Sequence, residues 1–134
     1  MPYDSKELAI KLKVDKAQAL MNEVEILLEN KFYNNAISRI YYSCYHAIRA
    51  LLLTIDISPK THSGLISSLH KYFVAQNLFN THKAAFFASL MQARIEDDYN
   101  DFIINDIAEI DAYIIPAKNY LTYVISLIDA HSIK

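Results

Sequence analysis

The chain has 134 residues and a net charge of −2, which is enough length for one domain with a single core. Hydrophobic residues make up 53% of it but are dispersed, and no segment approaches the about eighteen apolar residues of a membrane-spanning helix. The polar start MPYDSKEL lacks the apolar region of a signal peptide, so a cytoplasmic protein without membrane contact is expected. With one glycine and three prolines, the sequence has few of the turn residues that sheets need. It therefore predicts a single all-α domain over residues 1–134.

The first two helices are predicted to form an antiparallel pair. Asp4 and Glu7 make a start that resembles a capping box, and apolar residues at helical spacing continue to about Glu29. The short turn NKFYN then reverses the chain, with its last residue, Asn34, as the N-cap of the second helix. That helix extends to about Ile55, and so short a turn requires the two helices to pack antiparallel.

Three further helices are predicted after this pair, with approximate bounds Leu65–Ala75, His82–Asp97 and Asn105 or Asp106–Asp129. Thr61 or Ser63 caps the first of these helices. Pro116 is predicted to kink the last one, because it removes a hydrogen bond to the carbonyl of Ala112. The expected product is a five-helix domain built on an antiparallel four-helix up-and-down bundle.

The second helix carries an apolar stripe that predicts its core-facing side. At 100° per residue, six residues lie within about 60° of one line, and they are Ile37, Ile40, Cys44, Ile48, Leu51 and Ile55. Cys44 is the only cysteine, so it is expected to be a small core residue and not a disulfide partner or a nucleophile.

The opposite side of the same helix is basic and apolar. Arg39 and His46 are seven residues apart on that side and are separated by roughly 10 Å of helix rise. Tyr42, Ala50 and Leu53 share this side, and the helix contains no acidic residue. A helix with two such sides favours two contacts, one with the core and one with a partner or ligand, and predicts a homodimer through the second helix.

Charge is unevenly distributed along the chain. Residues 30–95 carry seven bases and one acid, a net +6, whereas residues 1–29 carry −2 and residues 96–134 carry −6. A basic middle segment is compatible with nucleic acid, although the acidic last helix packing beside the basic helices would also explain it. The five histidines form no pair at i, i+3 or i, i+4, so no metal site is predicted.

Three segments, FYNNAISRIYYSCYHAIRALL, PKTHSG and RIEDDY, resemble the HEPN domain (higher eukaryote and prokaryote nucleotide-binding) in its small stand-alone form. The matching positions in the second helix are Tyr33, Asn34, Ala36, Arg39, Tyr41, Tyr42, His46, Ala47, Arg49, Ala50 and Leu51. The matches in the following turn and at the end of the fourth helix are Thr61, His62, Gly64, Arg94, Asp98 and Tyr99. The resemblance covers nearly the whole chain in the family's order.

The resemblance implies an all-α bundle that dimerises and works with a minimal nucleotidyltransferase, often as a toxin beside its antitoxin. Active members of the family cleave RNA without a metal ion, so no cofactor is expected. Their motif is an arginine and a histidine with four to six residues between them, which Arg39 and His46 match. Ile40 stands where active members commonly carry a polar residue, and Ile48 where some carry a tyrosine that the partner adenylylates.

The predicted site chemistry assigns His46 to proton transfer, because imidazole titrates near neutrality. Arg39 is assigned to stabilising charge at the phosphorus centre, because its guanidinium is always charged and forked. The predicted RNA- or nucleotide-binding residues are Tyr42, Arg49 and Lys60, with the Tyr42 ring able to stack on a base.

Two alternatives stay open at the level of sequence. Arg39 and His46 could instead hold the bundle together through hydrogen bonds to Asp98 and Tyr99. Arg94 with these last two residues is interpreted as a structural motif, a buried ion pair that orients the fourth helix, and His62 as a brace for its turn. The alternative functions are a non-catalytic nucleotide- or substrate-binding module for the nucleotidyltransferase, and a plain helical scaffold.

Overall fold

The computed structural model describes residues 5–99 and 107–132, with the side chains of residues 5–94 and 110–131. Five α-helices form this part of the chain, and their bounds are α1 Ser5–Glu29, α2 Tyr33–Leu53, α3 His62–Leu69, α4 Thr81–Tyr99 and α5 Ile107–Ser132. A π-helical turn, His70–Val74, continues α3. No strand occurs in the described ranges, and the prediction of an all-α, five-helix fold is confirmed.

Helix α2 is the centre of the bundle. It packs against every other α-helix, and most extensively against α1 and α5. Of the predicted stripe, Ile37, Ile40, Cys44, Ile48 and Leu51 are all 0% exposed, whereas Ile55 is partly buried beyond the end of the helix. The apolar period of this helix thus identified its core side correctly.

Three helical segments end in a left-handed residue that is not glycine. Lys31, Asp56 and Asn77 have φ values of 61°, 63° and 59° and follow α1, α2 and the π-helical turn. At the first of these ends the amide of Phe32 donates to the Leu27 carbonyl at 2.8 Å, the long hydrogen bond of a Schellman motif. These residues take the place that glycine usually has, which explains how a chain with one glycine closes its helices.

The start of α2 differs from the prediction. Asn34 is not the N-cap: the helix begins at Tyr33, and Phe32 is the capping residue, with no side-chain cap hydrogen bond. Because Lys31 already reverses the chain in its left-handed conformation, the next carbonyl is free to accept the amide of Ala36 at 2.9 Å. The helix therefore begins one residue before the predicted cap.

Helix α3 also begins earlier than predicted. Of the two candidate caps, Thr61 is the one observed, since its Oγ1 accepts a hydrogen bond from the amide of Gly64 at 2.9 Å. This places His62 in the first turn of the helix. Pro116 lies inside α5, and the kink expected there stays a prediction.

The predicted helix starts at Asp4 and at Asn105 or Asp106 lie outside the described residues. In the ranges that are described, none of the helices combines the length and the apolar content that crossing a membrane would require.

Candidate functional site

One side of α2 is left open by the other helices. Between Arg39 and Leu53 nine side chains are buried, and they cover roughly 200° of the helix circumference at 100° per residue. The remaining residues keep partial exposure and form what we term the open arc of α2: Arg39, Tyr42, Tyr45, His46, Arg49 and Leu53. The arc contains three basic or titratable residues, two tyrosines, one leucine and no acid.

Ala50 does not belong to this open surface. It was predicted on the partner-facing side of α2, but it is 0% exposed. On the side of α2 that carries Ala50, Ser43 and Ala47 are also small and buried. The Ser43 hydroxyl donates to the Ala17 carbonyl of α1 at 2.6 Å. Small side chains allow α1 to approach α2 closely, so this face is interior and the open surface is narrower than expected.

Arg39 lies at the end of the open arc nearest the α1–α2 turn. Its Nε donates to the Glu23 carboxylate of α1 at 3.0 Å, and both side chains are about half exposed. The sequence alternative paired it with Asp98 and Tyr99, whose side chains lie outside the described residues. Arg39 is therefore held by α1 and still reaches solvent.

The middle of the arc borders an aromatic cluster that includes a histidine of α3. The hydroxyl of the buried Tyr41 is hydrogen-bonded to His62 Nδ1, and the His62 ring stacks on Tyr45 with 4.8 Å between centroids. Burial raises the pKa of Tyr41 well above its ordinary value, so the phenol stays protonated in its hydrogen bond with the imidazole. His62 is thus fixed against α2 and does more than brace its own turn.

Arg94 of α4 completes this cluster. Its guanidinium carbon lies 5.6 Å from the Tyr41 ring centroid and 5.0 Å from that of Tyr42, within the range of a cation–π contact. Burial, and then the charge of Arg94, lower the pKa of His62. In the described residues Arg94 thus contacts two tyrosines of α2. The predicted motif with Asp98 and Tyr99 stays a prediction, because the side chains of those two residues lie outside the described ones.

His46 lies beside the two tyrosines of the open arc. Its ring centroid is 6.4 Å from that of Tyr42 and 5.4 Å from that of Tyr45. Burial, followed by the charges of Lys16, Arg49 and Lys13, lowers the pKa of His46 to about 4. The imidazole is therefore neutral near pH 7, which is the form that can accept a proton.

The predicted binding residues are not all brought together. Tyr42 and Arg49 lie on the open arc with His46, and the Arg49 guanidinium is 5.7 Å from the Tyr45 ring centroid. Lys60 is exposed in the segment between α2 and α3, two residues before His62. Burial raises the pKa of Cys44, and this thiol is enclosed in the core.

Sequence reasoning missed two groups in this region. It did not connect His62 with Tyr41, although both belonged to the recognised pattern, because only the folded α2–α3 segment brings them into contact. It also overlooked Lys13 and Lys16 of α1, which act on His46. Within the described residues no three His, Cys, Asp or Glu side chains are grouped as metal ligands would be.

The family profile of the HEPN domain matches residues 10–126. This chain therefore belongs to the HEPN domain family. Two proteins of Methanocaldococcus jannaschii described as candidate toxins are 42% and 40% identical to it over 64 and 65 residues. These matches cover 48% of this chain and 44% and 48% of the two relatives, so the chain aligns with less than half of either protein. A UPF0332 protein of Thermotoga maritima is 25% identical over 126 residues, which is 94% of this chain and 96% of that protein.

Proposed function

We propose that the protein is a toxin-type HEPN endoribonuclease that cleaves RNA at the open arc of α2 and is controlled by a minimal nucleotidyltransferase. The observation that carries this proposal is the arc itself. Both motif residues, Arg39 and His46, lie on one part-exposed side of α2 that contributes no acidic residue of its own and that also carries tyrosine rings. The likeness to relatives described as toxins supports the same class of activity.

The chemistry proposed for this surface is attack by the 2′-hydroxyl on the adjacent phosphorus. Neutral His46 takes the hydroxyl proton, O2′ bonds to phosphorus, and the O5′ bond breaks, which leaves a 2′,3′-cyclic phosphate and a 5′-hydroxyl end. The leaving oxygen takes a proton from an imidazolium or from water. The guanidinium of Arg39 stabilises the negative charge that develops on the phosphoryl oxygens.

A second copy of the chain would complete such a site. Arg39 and His46 are two helical turns apart, roughly 10 Å along α2, so one pair spans a single phosphate poorly. A two-fold contact through the open arc places the arginine of one copy near the histidine of the other. Tyr42 and Leu53 are the amphipathic and apolar members of the arc that we propose for this homodimer contact.

A non-catalytic binding module is the second candidate, and one contact favours it. Glu23 holds Arg39 at 3.0 Å, so the arginine has a structural partner within its own chain. Ile40, at the position where active relatives commonly carry a polar residue, is 0% exposed. In this second function the open arc holds a nucleotide, or the substrate of the nucleotidyltransferase, without cleaving it.

Growth on expression tests the two functions. We expect arrest with the wild type, rescue by His46→Ala, and no rescue by the control His82→Ala, which changes an exposed histidine of α4. Co-expression with a minimal nucleotidyltransferase should relieve the arrest. Unimpaired growth with the wild type, at a protein level equal to that of both variants, favours the binding module.

A further inference from the structure

The contact line between α1 and α2, which we term the α1–α2 seam, has ion pairs at both ends. Near the turn, Glu23 pairs with Arg39 at 3.0 Å. At the far end, Lys6 pairs with Asp56 at 3.2 Å. The partners of each pair lie equally far before and after Lys31, by eight residues in the first pair and twenty-five in the second, as expected of two antiparallel helices joined at that residue.

This register places four basic or titratable side chains in the middle of the seam. Lys16 and His46 lie fifteen residues on either side of the turn residue, and Lys13 and Arg49 lie eighteen. On the circumference of α1, Lys13 and Lys16 fall between the two residues whose ion pairs reach α2, within an arc of about 100°. They therefore border the open arc of α2 where it carries His46 and Arg49.

Among the side chains that the structure describes, no carboxylate pairs with the basic residues in the middle of the seam. In the described residues α1 forms four ion pairs, and none of them involves Lys13, Lys16 or Arg49: they are Lys6 with Asp56, Lys11 with Asp15, Glu23 with Arg39 and Glu25 with Lys118. The charge of Arg49 also contributes, after burial, to a lowered pKa of Lys13. The positive charges of Lys13, Lys16 and Arg49 repel one another at this seam, and a bound anion would offset the repulsion.

We infer that the middle of the α1–α2 seam, formed by Lys13, Lys16, His46 and Arg49, binds a backbone phosphate of a single RNA strand. The inference rests on the proposed function, because it gives the RNA a path that leaves the open arc of α2 and crosses α1. Phosphate is the chemical class that fits, since ammonium and guanidinium groups both bind its oxygens. Tyr45 supports Arg49 at this site: its ring stacks on His62 with 4.8 Å between centroids, and its centroid lies 5.7 Å from the Arg49 guanidinium carbon.

Binding of a 2′-O-methyl RNA oligomer separates this site from catalysis, because the oligomer keeps every phosphate but lacks the attacking hydroxyl. Lys13→Gln and Lys16→Gln are each expected to weaken binding by about five- to tenfold at low salt. Each should also reduce the slope of log K against log salt, by at most about 0.7, the value for the loss of one whole phosphate contact to a single strand. Lys11→Gln is the matched control, because it removes the same charge from the same helix at a residue paired with Asp15, and it should change neither quantity.

A second readout reports on His46 directly. A bound phosphate places negative charge beside His46 and so favours the protonated imidazole. The oligomer should therefore raise the pKa of His46, measured by NMR, from about 4 toward its ordinary value of about 6.5. Inorganic phosphate should do so only at much higher concentration, because it lacks the neighbouring contacts of a strand. Polyglutamate that raises this pKa as effectively as the oligomer would overturn the inference and assign the seam to an acidic protein.

The possible outcomes distinguish the phosphate site at the α1–α2 seam from the proposed RNA cleavage. A wild type that binds the oligomer with these lysine effects but never cleaves RNA refutes the proposed ribonuclease and supports the phosphate site. Cleavage that is unchanged in Lys13→Gln and Lys16→Gln, together with unchanged oligomer binding, refutes the phosphate site alone. Equal losses in Lys11→Gln and in the two seam variants would also refute it, by showing a general effect of charge.

Discussion

Replacing His46 by glutamine should remove a pH dependence of stability that the fold builds into α2. The pKa of His46 is lowered to about 4 by burial and by Lys16, Arg49 and Lys13. In the unfolded chain it should return to about 6.5. Above about pH 6.5 the imidazole is neutral in both states and contributes nothing. Between about pH 6.5 and 4 only the unfolded chain binds the proton, so stability falls as the pH falls.

The magnitude follows from the difference between these two pKa values. One pKa unit corresponds to about 1.4 kcal/mol, so the fall from 6.5 to about 4 corresponds to at most about 3.5 kcal/mol. Since the side chain is only partly buried and its lysine neighbours reach solvent, screening should leave about 1–2 kcal/mol. Wild type should therefore lose about that much more free energy of unfolding than His46→Gln between about pH 7 and pH 4.5.

Urea denaturation followed by far-UV circular dichroism measures this difference, with both proteins unfolded at each pH in the same buffer. The comparison cancels the other titrating groups, which are common to both chains. If the free energies of unfolding of the two proteins fall in parallel over this pH range, His46 has an ordinary pKa. The electrostatic description of the α1–α2 seam would then be wrong.

Other substitutions test single contacts of the fold. Lys31→Gly should raise the free energy of unfolding by about 1 kcal/mol, because φ at this residue is 61° and glycine adopts that conformation without strain; Lys31→Ala should change it little, and an equal gain would contradict the account. Arg39→Ala should cost less than about 1 kcal/mol in urea denaturation, since both members of its ion pair are about half exposed, and a loss above about 2 kcal/mol would show that Arg39 is chiefly structural. Ala50→Glu should abolish folding, as judged by circular dichroism, because it places an unpaired carboxylate at a position with 0% exposure. Leu53→Glu, on the open arc, should keep the fold and elute as a monomer on size exclusion, and elution unchanged from wild type would place the dimer contact elsewhere.

The central helix shows what could be predicted from the sequence. The spacing of Ile37, Ile40 and Cys44 predicted the core side of α2, and each of these residues is fully buried. The prediction that Ala50 faces a partner was wrong. A helical wheel assumes that a helix has one buried face, whereas α2 packs against every other α-helix of the bundle. Small residues such as Ala50 give no apolar signal of their own, so only the folded bundle shows that this face is interior.

The seam between α1 and α2 was predictable in principle. The turn at Lys31 and antiparallel packing determine which residues lie opposite each other, and that rule places Lys16 across from His46. The net charge of residues 1–29 is −2, and this sum gives no sign that Lys16 lies beside His46. The acidic and basic residues of α1 face different neighbours, so only their individual positions are informative. The hydrogen bond between Tyr41 and His62 could not be derived in this way, because the path of the chain between α2 and α3 determines it.

RNA cleavage by the purified protein, with 2′,3′-cyclic phosphate ends as the readout, is the decisive test of whether the motif on α2 is catalytic. We expect the wild type to cleave single-stranded RNA and His46→Ala to leave it intact. The Tm of this variant near pH 7 should stay close to that of the wild type. Arg39→Lys should recover little activity, because lysine keeps the charge but loses the forked donor geometry. A wild type that leaves RNA intact, together with a His46→Ala variant that melts well below it, would contradict the account and make the motif structural.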